Sequence, residues 1–188
     1  LTSGGVRAAF RRRGYRRWSI TGLFADGPVL RSVRVSKAAI KWLAEHHDES
    51  IARLVDWLKI PSISTDPKHA DDCAHAAAWV AEQLQLAGLA IEICPTGTAK
   101  KPGHPIVLAT TKGDNDYKGP HVLFYGHYDV QPCDPLDLWE SPPFEPVIRA
   151  ARGNEKGGKR IVARGAVDDK GQVMMFIEAL HAMLATTG

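Results

Sequence analysis

The sequence predicts an α/β fold in which a mixed sheet is flanked by helices. Apolar residues recur at helical spacing in three segments, near 51–58, 67–87 and 170–184. Between these segments lie short apolar runs bounded by glycine, proline or aspartate, which is the pattern of strands. Because the two patterns alternate along the chain, helices are expected on the faces of the sheet.

The predicted helices have identifiable ends. Apolar residues over 51–58 follow the i, i+3, i+4, i+7 pattern, and Pro61 stops that helix. Asp66 and Pro67 suit the N-cap and first position of the second helix, and Gly88 suits the residue just after its end. The third helix carries an apolar stripe that should face the sheet.

Short apolar runs predict five strands, at 89–94, 105–109, 121–125, 147–149 and 161–163. The run 121–125 is apolar throughout, so it is expected to be buried on both faces. Polar loops are predicted at 112–119, where the pattern is hairpin-like, and at 153–159, which is rich in glycine.

Composition is that of a globular protein with 44% apolar and 24% charged residues. No run of 18 apolar residues occurs, so no membrane partner is expected. The three cysteines are scattered and form no CxxC pair, which argues against a disulfide framework and a thiolate zinc site. A reducing, cytoplasmic location is therefore predicted.

The first 36 residues differ from the rest in charge. They contain eight arginines, no lysine and one acid, Asp26, and so carry +7. Since the whole chain carries +3, residues 37–188 carry −4. The basic isoelectric point is thus a property of residues 1–36, which are treated as a separate Arg-rich extension preceding a domain at 37–188.

Three interpretations of this extension stay open. It has the arginines and aromatic residues of a nucleic-acid-binding arm, and the Arg-rich, acid-poor composition of a targeting peptide. The favoured interpretation is a disordered or non-native extension, because the chain starts at Leu1 and its first methionine is Met174. No nucleic-acid partner is therefore predicted.

A candidate metal site is formed by two motifs that follow apolar runs. His127 and Asp129 come directly after Gly126, and Asp168 and Asp169 precede the last helix. Imidazole and carboxylate groups at strand ends are ligands for a divalent metal such as zinc. Gly126 allows close backbone approach, and adjacent carboxylates repel each other unless cations neutralise them.

Each motif also has a structural interpretation. A lone His-x-Asp is more often structural than metal-binding, and Asp-Asp-Lys-Gly is an ordinary helix N-terminus. His69 and His75 are expected to be surface or core histidines, not ligands. The metal interpretation depends on the joint occurrence of both motifs.

Together the motifs GHYDVQP at 126–132 and ARGAVDDKG at 163–171 closely resemble those of the M20 family of metallopeptidases. WESPPFEP at 139–146 and WLKIPSIS at 57–64 resemble its dipeptidase and carnosinase-type branch. The resemblance covers residues 45–188. It departs at Ala163, where the family usually has glycine.

The resemblance implies a zinc-exopeptidase-like catalytic domain that binds two Zn²⁺ ions. His127 would bind one ion, Asp168 would bridge both, and Asp129 would support the site as a catalytic carboxylate. Asp169 lies where the family tolerates other residues and is not counted as a ligand. The family's Glu-Glu pair, its remaining ligands and its lid domain, which commonly mediates dimerisation, would lie past Gly188, so the chain is expected to be truncated before the lid.

Two hypotheses follow. The intact protein is a di-zinc dipeptidase acting on small peptides and forming a homodimer, with an N-acyl-amino-acid deacylase as the alternative on the same site. The 188-residue chain by itself is an inactive fragment, because two protein ligands hold zinc poorly.

Overall fold

Helices and strands interleave in the computed structural model, which describes residues 37–111, 121–153 and 158–187. The described α-helices are α1 (Lys37–Glu45), α2 (His47–Leu58), α3 (Ala70–Leu86) and α4 (Lys170–Thr187). Short 3₁₀ turns cover Pro67–His69 and Leu136–Leu138. No described helix is long and apolar enough to cross a membrane.

The three predicted helices are confirmed with one refinement, whereas α1 was not predicted. The Asp66 side chain accepts a hydrogen bond from the Lys68 backbone N–H at 3.0 Å, but the turn it caps is 3₁₀ and leads into α3. At the other end of α3, Gly88 has φ +80°, a conformation that glycine adopts without steric cost.

Strands are paired as three antiparallel ribbons in the described part of the chain. β1 (Ala90–Cys94) pairs with β4 (Ile106–Thr110), β2 (Gly97–Thr98) with β3 (Lys101–Pro102), and β5 (Val147–Ala150) with β6 (Lys159–Val162). A single parallel bridge joins Ile63 to Val130. The predicted strands at 89–94, 105–109, 147–149 and 161–163 are therefore confirmed, with shifts of one or two residues.

The prediction of a buried strand at 121–125 is wrong. These residues form no strand, and Val122, Leu123 and Tyr125 are 87%, 90% and 85% exposed. An apolar run becomes a buried strand only where other strands and a covering layer meet it, and no described strand pairs with this one. Phe124 is the partial exception, since its ring stacks on that of Phe176 with centroids 3.9 Å apart.

Helices α2, α3 and α4 form the hydrophobic core that supports the two motifs. Trp57 at the end of α2 is fully buried, stacks on Trp79 of α3 and donates from Nε1 to the Ala76 carbonyl at 3.3 Å. Val173 and Ile177 of α4 pack into the same cluster. The first turn of α4, which follows Asp168 and Asp169, is thereby anchored to the core.

Some predictions fall on residues outside the described ranges. These are the extension at 1–36, and with it the separation from 37–188, the hairpin-like loop at 112–119, and most of the Gly-rich loop at 153–159. They stay predictions.

Candidate metal centre

The two motifs meet in space. The imidazole Nε2 of His127 lies 3.0 Å from Oδ1 of Asp168, although 41 residues separate them in sequence. His127 follows the extended segment that ends at Gly126, and Asp168 lies just before α4. The contact therefore joins the segment after Gly126 to the turn that precedes α4.

Gly126 explains how the backbone comes this close to α4. A Cβ atom at position 126 would lie 2.4 Å from Cγ2 of Val173 and 3.0 Å from Oδ2 of Asp169. Real Cβ atoms do not approach other atoms so closely, so glycine is required by the packing here. The close approach expected from the sequence at this position is confirmed.

His127 has an acceptor on each side of its ring. Nδ1 lies 3.1 Å from both the backbone carbonyl and Oδ1 of Asp129, and Nε2 faces Asp168. Oxygen atoms of this kind accept hydrogen bonds, so Nδ1 carries a proton and donates to Asp129. Nε2 then needs a proton or a cation between itself and Asp168, because two lone pairs 3.0 Å apart repel.

The electrostatics agree with that requirement. Partial burial lowers the pKa of His127, but the carbonyl and carboxylate of Asp129, together with Asp168 and Asp169, raise it by more. The net pKa therefore lies above the ordinary histidine value. The carboxylates of Asp129 and Asp168 therefore favour the protonated form of the ring more than solvent does.

Asp169 has a role that its sequence position does not reveal. Its Oδ2 accepts a hydrogen bond from the backbone N–H of His127 at 3.1 Å, while its carbonyl accepts from Val173 N–H within α4. The peptide bond between Asp168 and Asp169 is cis. The two neighbouring carboxylates thus serve different partners, one the His127 ring and the other the His127 backbone.

Sequence reasoning also missed Lys170 and Ser64. Lys170 is fully buried, and its Nζ donates to the carbonyls of Trp57 and Ile60 at 3.0 and 2.8 Å, which ties the start of α4 to the end of α2. Ser64 Oγ donates to Oδ2 of Asp129 at 2.5 Å. Both residues lie within motifs quoted above, Ser64 in 57–64 and Lys170 in 163–171, but no local pattern reveals their contacts, because each contact joins residues 65 or more positions apart.

An open cavity of about 150 Å³ lies beside these groups. Its walls come from both motifs, residues 127 and 129–131 on one side and residues 163–165, 167 and 168 on the other. The Asp168 side chain is 79% exposed and that of His127 is 37% exposed, so both are accessible from the cavity. Arg164 braces this wall by donating to the Pro132 carbonyl at 2.8 Å and lying over the Trp139 ring.

The donor set fits a zinc-like cation in part. Two ligands of one tetrahedral zinc ion lie about 3.4 Å apart, since each bond is about 2.1 Å long. The 3.0 Å separation of His127 Nε2 and Asp168 Oδ1 is within a small side-chain movement of that value. Within the described ranges, no group of three or more His, Cys, Asp or Glu side chains is placed to hold a metal ion, so His127 and Asp168 are a pair of candidate ligands.

Comparison with known proteins identifies relatives of this chain. A sequence profile of peptidase family M20/M25/M40 matches residues 123–188, which include both motifs. The chain is 33% identical over 143 residues to Cys-Gly metallodipeptidase DUG1 of Saccharomyces cerevisiae, covering 72% of this chain and 28% of that protein. It is 32% identical over 148 residues to β-Ala-His dipeptidase of Homo sapiens, covering 74% and 27% respectively.

Solved structures agree with these sequence relatives. Human carnosine dipeptidase 1 superposes with a TM-score of 0.66 at 29% identity, covering 78% of this chain and 30% of that one. The yeast dipeptidase Dug1p superposes with a TM-score of 0.65 at 25% identity, covering 79% and 31%. The predicted fold class is confirmed, and the chain spans less than a third of the length of the curated relatives described above.

Proposed function

Because the chain belongs to peptidase family M20/M25/M40, we propose that its whole protein is a metal-dependent hydrolase that cleaves the amide bond of dipeptides or short peptides. The observation that carries the proposal is the contact between His127 Nε2 and Asp168 Oδ1, backed at Nδ1 by Asp129. A histidine oriented by one carboxylate and facing another at an accessible cavity has the donors and the second-sphere support of a catalytic metal site.

His127 and Asp168 are the residues of this chain that would hold divalent metal, with Zn²⁺ proposed for both positions of a two-ion site. When bound, the metal supplies Lewis-acid polarisation of the substrate carbonyl and a bound water of lowered pKa. Asp168 is proposed to bridge the ions and to neutralise part of their charge. Its exposed carboxylate, next to the cavity, is compatible with more than one ligand contact.

Asp129 holds the His127 ring through Nδ1, so that Nε2 faces the metal side of the cavity. The proton released by the attacking water is assigned to a glutamate from the rest of the protein, as the family resemblance implies. The whole protein is also proposed to form a homodimer through its lid domain. Its predicted cytoplasmic location rests on the cysteine pattern, and all three thiols are free.

The test uses the whole protein after metal removal and reconstitution with zinc. Cys-Gly and β-Ala-His are suitable substrates because the relatives carry those specificities in their names. His127→Ala and Asp168→Asn should each lower kcat/KM by more than the roughly 10–100-fold typical of second-sphere changes. His75→Ala is the matched control, since His75 is exposed on α3 and distant in sequence from both motifs.

The outcomes separate the alternatives. Faster cleavage of an N-acyl amino acid than of either dipeptide would favour the deacylase. Failure to cleave any of these substrates with zinc restored, or full activity in His127→Ala, would refute the metallohydrolase proposal.

The 188-residue chain alone is proposed to be inactive. Catalytic zinc sites use three protein ligands, and the described residues contribute His127 and Asp168. Dipeptide turnover by residues 1–188 that survives repurification and disappears in His127→Ala would overturn this proposal.

A further inference from the structure

We propose that Ser64 is a positioning residue of the metal centre, acting through Asp129 to hold the His127 ring with its Nε2 lone pair toward the metal. The inference rests on the proposed function and deepens it. It assigns a role to a segment far from both motifs in sequence, at the loop between α2 and α3.

The backbone places Ser64 opposite Asp129. Residues 62–64 run alongside residues 128–130, with a parallel bridge between Ile63 and Val130. Val130 N–H donates to the Ser62 carbonyl at 2.9 Å, and Ser62 Oγ donates to the Tyr128 carbonyl at 2.7 Å. Ser62 is fully buried, so these bonds are shielded from water and hold the two segments in a defined register.

This register gives the two oxygens of Asp129 different partners. Oδ2 accepts from Ser64 Oγ at 2.5 Å, while Oδ1 accepts from His127 Nδ1 at 3.1 Å. An ionised carboxylate only accepts hydrogen bonds, so the Ser64 hydroxyl must be the donor, and a distance this short is typical of a charge-assisted bond. Rotation of the carboxylate would break one bond or the other.

The backbone of Ser64 is also held by a hydrogen bond from the segment between β3 and β4. His104 Nε2 donates to the Ser64 carbonyl at 2.9 Å, and the His104 carbonyl accepts from Thr96 Oγ1 at 2.7 Å. Tyr128 OH donates to the next carbonyl, that of Pro105, at 2.6 Å. The segment between β3 and β4 therefore supports both sides of the 62–64 and 128–130 pair.

The chemical consequence concerns the tautomer of His127. A neutral imidazole carries one proton, and a metal ligand needs its lone pair on the nitrogen that faces the ion. With Oδ1 of Asp129 held in place, the proton stays on Nδ1 and the lone pair on Nε2. Without the Ser64 hydroxyl, the Asp129 carboxylate is free to rotate, and Nδ1 keeps only the Asp129 backbone carbonyl as acceptor, so the ring is held less firmly.

The experiment measures zinc affinity of the whole protein by competition with a chromophoric chelator, independently of activity. Ser64→Ala should weaken binding about 10–100-fold, the range typical of outer-shell ligand supports, and Ser64→Thr should restore most of it because the hydroxyl is retained. Thermal unfolding of each metal-free variant reports any general loss of structure.

A double-mutant cycle with Asp129→Ala identifies the route. If Ser64 acts through Asp129, then Ser64→Ala has no further effect on zinc affinity in the Asp129→Ala background. Equal effects in both backgrounds, a serine-to-alanine variant that binds zinc like the wild type, or no rescue by threonine would each overturn the inference while leaving the proposed function intact. A wild-type protein that neither binds zinc nor cleaves dipeptides would overturn both.

Discussion

Replacing Gly126 by alanine tests whether the close approach of this backbone to α4 sets the position of His127. The added Cβ would lie 2.4 Å from Cγ2 of Val173. Carbon atoms in contact prefer about 3.5–4.0 Å, so the backbone at 126 or the first turn of α4 must move by about 1 Å. Either movement changes the position of His127 relative to Asp168.

The expected cost follows from that displacement. Inserting a methyl group into a close-packed site costs about 1–3 kcal/mol of stability. The second contact of the new Cβ, 3.0 Å from Oδ2 of Asp169, also disturbs the carboxylate that accepts from the His127 backbone. Zinc affinity should therefore fall as well, by about 10–100-fold, as for other losses of ligand support.

Urea unfolding followed by tryptophan fluorescence measures the first effect, and chelator competition the second. The matched control is Val173→Ala, which removes the methyl groups that the new Cβ would meet. Gly126→Ala in the Val173→Ala background should cost at least about 1 kcal/mol less than in the wild type, because neighbouring sites are not additive. Additivity within about 0.5 kcal/mol would refute the packing argument.

Three further predictions concern the rest of the described structure. Arg53→Met should cost about 2–4 kcal/mol at pH 7, because buried Glu178 loses the ion pair at 2.7 Å that stabilises its charge. Burial raises the pKa of Glu178, but Arg53 and Ser50 lower it by more, so the folded-state pKa lies below the unfolded-state value. The stabilisation by ionised Glu178 is therefore fully present above the unfolded-state pKa and is lost as the pH falls through the folded-state pKa. The cost measured by urea unfolding should accordingly be smaller at pH 4 than at pH 7, and a cost independent of pH would contradict this account. Lys170→Met removes two buried hydrogen bonds, although the carbonyls of Trp57 and Ile60 keep backbone donors, and should cost about 1–3 kcal/mol. Burial lowers the pKa of Lys170 in the folded protein to about 7, whereas the unfolded chain keeps the ordinary value of 10.5. Between these two pH values the unfolded chain binds one more proton than the folded protein, so the stability of the wild type should rise over this range by more than that of the variant. The 188-residue chain should self-associate through the exposed apolar segment 122–125. Leu123→Lys should therefore lower the mass measured by light scattering more than Gln172→Lys, a control at an exposed position of α4, does.

Local chemistry in the sequence determined three of the four described α-helices and four of the strands, and it suggested which residues could bind metal; α1 was not predicted. Apolar periodicity and the capping residues at 66 and 88 act within one or two turns, so they are readable without a structure. The two motifs likewise carried the expectation that His127, Asp129 and Asp168 form one site, because strand ends and helix starts gather at one edge of an α/β fold.

Only the tertiary structure shows the features that depend on residues distant in sequence. Burial of an apolar run requires a covering layer, so the exposure of residues 122–125 could not be predicted from their composition. Three hydrogen bonds join segments that lie 40 or more residues apart: Ser64 to Asp129, the His127 backbone to Asp169, and buried Lys170 to Trp57. Such contacts are set by how helices and loops pack, and no local pattern encodes them.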